Sequence, residues 1–429
     1  MTNAAVRVGV LGCGNVGGAL VTLIVREADA IEARTGIRLE VTRIAVRDLS
    51  KARPAEVKQE LLTTDAAALV IADDVDVVVE ILGVLDPADE LLRAALAAGK
   101  PVVTANKELL ATRGIELFGA AAAAGRDLLF EAAVCAGIPL IRPLRESLAG
   151  EPIDRIMGIV NGTTNFMLTR MTETGASYAD ALSEAQRLGY AEPDPTADVG
   201  GLDAGAKVAI LASIAFGVGV TLSDVYCEGI TSITPTDIEF AQRLGYVVKL
   251  LAVAEQVGGQ VAVRVHPAMV PATHPLASVR DSFNAVFIEG AAVGELMLYG
   301  RGAGPMPTSS ALLGDLLDAA HNLRSGGAGR APVLAPASLR PVSELRSQYY
   351  LALDVADKPG VLAAVAGVLG GHGVSIQSME QQGLGDEARL VFITHVAREA
   401  DVQATLDDLR ALDAVRSIGG LLRVIGDER

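Results

Sequence analysis

Short apolar runs alternate with helically spaced apolar positions along the first third of the chain. Val6–Leu11 is an almost unbroken apolar run and reads as a buried parallel strand. A helix is predicted from Gly18 onward, then a second strand over residues 39–46. Further strands are expected over residues 76–82, 101–104 and 128–132, separated by helices over 90–98 and 108–124. Such alternation predicts an open, mostly parallel sheet. After residue 135 the pattern changes. Residues 153–160 read as a strand and 177–188 as an amphipathic helix, with Ser177 and Asp180 expected to form a capping box. Residues 204–216 read as a buried helix, and 247–298 hold several strand-like runs, so a second, α+β domain is expected.

A glycine- and proline-rich turn over 300–307 opens a helix at Thr308, and residues 325–341 have linker composition. The last stretch has its own order: strand 349–355, helix 361–370, strands 374–380 and 388–396, helix 400–409, strand 415–424. That is the split-βαβ, ferredoxin-like arrangement. The expected division is 1–135, with helix 305–323 packing back on it, then 136–300, a linker over 324–346, and 347–429.

Composition narrows the function classes. The chain has 429 residues, half of them hydrophobic, enough for two or three cores. No apolar run reaches the roughly 20 residues of a membrane span. The opening residues lack a signal-peptide layout, so a cytoplasmic protein with no membrane partner is expected. A net charge of −16 argues against nucleic acid, which needs clustered cations. Cys13, Cys135 and Cys227 have no CxxC spacing and read as reduced thiols. The five histidines show no zinc spacing.

Candidate chemistry sits in three places. Gly12, Gly14 and Gly17 form G-x-G-x-x-G between strand and helix, around Cys13, Asn15 and Val16. The first glycine allows a tight turn, the second close approach of a pyrophosphate, the third close helix–strand packing. The second strand ends Val46-Arg47-Asp48. Arg47 suits a 2′-phosphate and favours NADP(H); Asp48 could instead take a ribose hydroxyl, so NAD(H) stays open. Lys107 follows Thr104-Ala-Asn at the carboxyl end of a predicted strand, the ligand edge of open α/β sheets. Finally, residues 189–207 place Glu192, Asp194, Asp198 and Asp203 just before Lys207. Asp203 and Lys207 share one helix face, and the apolar run 208–216 argues for partial burial. A partly buried lysine beside carboxylates can move a proton. Glu192 and Asp198 suit an ammonium group, while Asp194 reads as a local turn residue.

Four ordered blocks resemble the homoserine dehydrogenase family: residues 104–107, 160–165, 191–207 and 300–304. The C-terminal unit, with Asp357-Lys-Pro-Gly-Val-Leu362, resembles an ACT regulatory domain. The resemblance implies NADPH-dependent, reversible reduction of L-aspartate 4-semialdehyde to L-homoserine, on the route to threonine, methionine and isoleucine. It implies Lys207 as proton donor, Lys107 as its partner near nicotinamide and substrate, and Glu192, Asp198, Asp203 and Thr163 around the substrate. Thr104 and Gly302 join the glycine turn and Arg47 on the cofactor side. It further implies a sodium or potassium ion held by Glu131 and the carbonyls of Val134, Ala136 and Ile138. Threonine is the implied effector, in a homodimer or homotetramer. Deletion of residues 347–429 is then expected to keep activity while abolishing any threonine effect. Two alternatives remain at this point: a dehydrogenase for another small amino-acid aldehyde, and a non-catalytic sensor of NADP and amino acids.

Overall fold

Val6–Leu11 forms the central strand of a six-stranded, all-parallel sheet. The order is Leu62–Thr63, Leu39–Ala45, Val6–Leu11, Val77–Glu80, Val102–Thr104, Leu128–Leu129. Leu11 lies beside Ala45 on one side and Glu80 on the other. Successive strands thus depart in opposite directions from the central one, which opens a crevice at its carboxyl end. The computed structural model describes residues 4–329, 331–383 and 385–426 and falls into two compact units. This sheet belongs to the first, which spans the chain to Ile153 and also holds Ala206–Asp224 and Glu289–Ala337.

Helix Pro305–Arg324 is part of this first unit and buries its apolar stripe in it. Leu312, Leu316, Ala319 and Ala320 are fully buried in one cluster with Val8, Val10, Leu20 and Val77. Full burial of each leucine is worth about 1.5–3 kcal/mol. The helix begins three residues before the predicted Thr308, since a proline at its first position already has the required φ.

The second unit comprises Asp154–Gly205, Val225–Ile288 and Ser338–Arg429. Its sheet is built on the hairpin Tyr246–Val257 and Gln260–Pro271, turned by Gly258 and Gly259 at φ +60° and +81°. Those positive angles are the glycine-favoured ones of a two-residue hairpin turn. Strand Ile153–Ile159 pairs with its first arm. The C-terminal βαββαβ unit has strand order Val415–Val424, Arg346–Ala356, Glu387–Thr394, Ile376–Gly383. Its own core gathers Tyr349, Leu351, Leu353 and Phe392 with Val365, Leu369, Leu406 and Leu409.

Two sequence expectations change here. The last strand joins the hairpin sheet: Ala268 pairs with Arg423 and Met269 with Val424, in parallel. Removing residues 347–429 therefore strips the hairpin's outer arm of a partner and exposes unpaired edge groups. Unimpaired activity of that truncation is no longer expected. The helix Tyr178–Arg187 has only half of its capping box, with Ser177 Oγ accepting from the Asp180 N–H. The complete box lies at Thr234 and Asp237, with Pro235 between them.

Candidate active site

The glycine turn combines tight packing with an open helix N-terminus. Gly12 sits at φ +101°, and a Cβ there would lie 2.8 Å from the Ile81 carbonyl oxygen. A Cβ on Gly17 would fall 2.3 Å from the Gly12 carbonyl oxygen. Around Gly14, by contrast, a Cβ would meet nothing within 4 Å. Two glycines are thus required by packing, and the middle one leaves space open. Helix Asn15–Arg26 begins there with no side-chain cap and no acidic residue in its first turn. Its leading N–H groups and positive dipole end favour an anion. These residues fit a dinucleotide pyrophosphate.

Past the second strand, Arg47 is exposed. Asp48 Oδ1 accepts from both the N–H and the hydroxyl of Ser50, at 2.8 and 2.6 Å. The Ser50 hydroxyl, then its N–H, hold that carboxyl below the usual range.

Across the crevice, Lys107 is the first residue of helix Lys107–Ala124 and is half-buried. What presents it is a residue the sequence reading passed over. Glu80, fully buried at the end of the neighbouring strand, accepts from Thr104 Oγ1 at 2.5 Å, the Leu82 N–H at 2.7 Å and Asn106 Nδ2 at 3.3 Å. Burial pushes its carboxyl up, against those three donors. Asn106 in turn caps the helix through the Leu109 N–H. The Thr104 hydroxyl is thereby engaged on both sides, donating to Glu80 and accepting from the Asn106 N–H. A carboxylate ending the run Val77-Val-Val-Glu80 was the available sequence signal.

Glu131 is buried in a 3-10 turn. Its Oε1 accepts from the N–H groups of Leu140 and Ile141, and Oε2 from that of Arg142. Three backbone donors thus hold the two oxygens of this carboxylate in place. Val134, Ala136 and Ile138 lie in the buried loop that follows, where Cys135 adopts φ +53°. Gly137 in that loop donates to the Arg301 carbonyl, next to buried Gly302.

The Glu131 N–H donates to Asp315 Oδ2, and Arg142 reaches Asp315 Oδ1 at 3.3 Å. Burial pushes the Asp315 carboxyl up to about 8, with the Glu131 charge adding to the rise. Its folded-state pKa lies above the ordinary 3.8, so it contributes stability that is lost as pH rises through about 8. The margin in unfolding temperature of the unaltered protein over Asp315→Asn should accordingly shrink between pH 5 and pH 8. Thermal unfolding at both values checks this; a constant margin would refute it.

In the second unit, Asn161 joins the carboxylates that the sequence singled out. Its Nδ2 donates to Asp198 Oδ1 at 2.7 Å and to Asp203 Oδ2 at 2.8 Å. Its Oδ1 caps helix Gly162–Thr174 through the Thr164 N–H. Two carboxylates on one amide make a local negative centre that favours a cation. Helix Leu202–Phe216 runs on from Asp203 into the first unit, where Lys207, one turn along, is half-buried and Val208–Ala212 are buried. Glu192 is exposed. Asp194 accepts from the N–H and hydroxyl of Thr196, a local turn contact. Thr163 donates its hydroxyl to the Tyr190 carbonyl at 2.6 Å and so anchors the carboxylate segment. Asn165 faces away, toward the carbonyls of Asp281 and Phe283 and the buried Lys249.

Comparison with known proteins decides among the remaining readings. Residues 139–317 match the model of the homoserine dehydrogenase family, 12–131 that of its NAD-binding domain and 349–414 that of the ACT domain. A homoserine dehydrogenase of Corynebacterium glutamicum is 49% identical over 432 residues, covering 99% of this chain and 96% of that one. The chain belongs to the homoserine dehydrogenase family. The enzyme of Mycobacterium tuberculosis is also 49% identical, with 98% of each chain covered. The crystal structure of the homoserine dehydrogenase from Thiobacillus denitrificans superposes with a TM-score of 0.94 at 41% identity, covering 98% of both chains. A hyperthermophilic archaeal homoserine dehydrogenase, solved in complex with NADPH, matches 74% of this chain and 98% of its own at TM-score 0.63 and 30% identity. The protein is thus an oxidoreductase with a nicotinamide cofactor, acting on homoserine and aspartate semialdehyde, with an amino-acid-binding ACT domain. The sensor and the dehydrogenase for another aldehyde are not favoured. No described helix is long and apolar enough to cross a membrane.

Proposed function

We propose that the chain interconverts L-aspartate 4-semialdehyde and L-homoserine with NADP(H) in preference to NAD(H), in the cytoplasm and as a homodimer or homotetramer. The observation that carries the site reading is the Asn161 bridge between Asp198 and Asp203, one helical turn before Lys207. Asp198 and Glu192 take the substrate ammonium group. Asp203 orients Lys207. The cofactor, when bound over the glycine turn, supplies hydride. As charge grows on the aldehyde oxygen, Lys207 gives it a proton and Lys107 steadies it electrostatically. Arg47 takes the 2′-phosphate; the engagement of Asp48 by Ser50 supports this choice.

Glu131, with the carbonyls of Val134, Ala136 and Ile138, holds a sodium or potassium ion, as hard-oxygen ligands do. Threonine is the effector of the ACT unit. Gly360, at φ +91°, starts helix Val361–Gly371 without a side-chain cap, and the space around Gly360, Gly370 and Gly371 is open, which supports an amino-acid site there.

One assay tests the function. With L-homoserine and NADP supplied, absorbance at the NADPH band should rise, faster than with NAD or with other amino alcohols, and threonine should slow it. A flat trace, or equal turnover of other amino alcohols, would refute the assignment.

A further inference from the structure

The second unit contains a buried ionic cluster that no step of the chemistry uses. Arg423, on the last strand of the ACT unit, is 3% exposed at its side chain. Its Nε and Nη2 donate to Glu399 Oε2 and Oε1 at 3.0 and 2.9 Å, a bidentate pair. Tyr349 Oη also donates to Glu399, at 2.7 Å. The remaining guanidinium nitrogen, Nη1, donates to Glu228 Oε2 at 2.8 Å. Glu228 lies outside the ACT unit, beside the short strand Tyr226–Cys227, and the Tyr226 hydroxyl reaches it at 3.3 Å. Other charges border the cluster from strand Gln260–Pro271: Arg264 is paired with Glu255 at 2.6 Å, and buried His266 follows two residues on.

Glu228 is linked to the carboxylate segment through the two residues that follow it. Its N–H donates to the Val265 carbonyl at 2.8 Å, and the Ile230 N–H donates to the Val199 carbonyl at 2.9 Å. Between them Gly229 lies flat on Val199 and Gly200; a Cβ there would fall 2.0 Å from the Val199 oxygen. The fit at Gly201 is less tight, a Cβ there lying 3.1 Å from the Val265 side chain and 3.4 Å from the Glu228 oxygen. Gly229 and Ile230 are therefore in close backbone contact with Val199 and Gly200. The second segment is flanked by Asp198 and Asp203, the two carboxylates on Asn161.

We infer that Arg423 is a positioning residue for the substrate carboxylates: through Glu228 it fixes the strip Val199–Gly201, and so lets the ACT unit set the spacing of Asp198 and Asp203. The inference rests on the proposed role of those carboxylates and deepens it. Arginine is needed for its shape. Its planar fork holds Glu399 with two nitrogens and Glu228 with a third, which a lysine ammonium cannot reproduce. A small displacement of the last ACT strand, as on effector binding, is passed to the carboxylate pair. A misplacement of about 1 Å at such a site is enough to slow turnover.

The test compares the unaltered full-length protein with Glu228→Gln, Arg423→Lys and the double variant. Each single variant should lower kcat/KM for homoserine by about 3- to 30-fold, the range seen along coupling networks. KM for NADP should stay close to that of the unaltered protein, while the unfolding temperature should fall, most for Arg423→Lys, because buried Glu399 keeps fewer donors. The double variant should lose no more than the worse single one, as expected for one shared interaction. Amide hydrogen exchange over 196–203 and 228–230 should accelerate in both single variants, a readout independent of turnover. Unchanged exchange there, additive losses, or equal losses for homoserine and NADP would overturn the inference. Faster exchange with no homoserine oxidation even by the unaltered chain would support the coupling and fall on the proposed function instead.

Discussion

Replacing Lys207 by alanine should lower turnover of homoserine by about 10²–10⁴-fold, the range for loss of a group that transfers a proton in the transition state. The substitution is gentle on the fold. Position 207 lies inside helix Leu202–Phe216, and alanine is the best helix former. The lysine is half-buried, and the apolar face behind it, Val208–Ala212, is untouched. NADPH affinity and unfolding temperature should stay near those of the unaltered protein, since the glycine turn does not include this residue. Rapid-reaction and steady-state kinetics in both directions, with thermal unfolding as the control, check the prediction. Turnover within a few-fold of normal would remove Lys207 from its role. A parallel collapse of stability would show that the lysine is structural.

The second large effect concerns the cofactor. Arg47→Ala should raise KM for NADPH by about 10- to 150-fold, which corresponds to losing a charged hydrogen bond to the 2′-phosphate. KM for NADH should barely move, because that cofactor has no such group. Arg47 is exposed, so its truncation should change stability by no more than about 0.5 kcal/mol. Asp48 is the rival recognition group, and it is already engaged by the N–H and hydroxyl of Ser50. Equal rises in KM for the two cofactors would disprove the phosphate role and return Asp48 to consideration.

The gain of the tertiary structure over the sequence is clearest at residues that act through others. Glu80 reads in the sequence as the end of an apolar run; in the fold it locks Thr104 and Asn106, 24 and 26 residues away, and with them the start of the helix that carries Lys107. Asn161 reads as a helix cap, which it is, but its amide also ties Asp198 and Asp203, 37 and 42 residues on. Arg423 and Glu228 are separated by 195 residues and carry no local signal at all.

What the sequence determined by itself is what local periodicity and stereochemistry control. The alternation of strands and helices, the glycine turn and the βαββαβ order of residues 346–424 follow from patterns within a few dozen neighbouring residues. So does the charged run before Lys207. A period of two or 3.6 says which face of an element is buried, but not which distant element will cover it. Only the tertiary structure decided that Asp315 lies against Glu131 and that the final strand adds to the Gln260–Pro271 edge. Those contacts depend on where sheet pairing delivers the ends of strands far apart in the chain, and on which buried polar groups must then find partners out of reach of water.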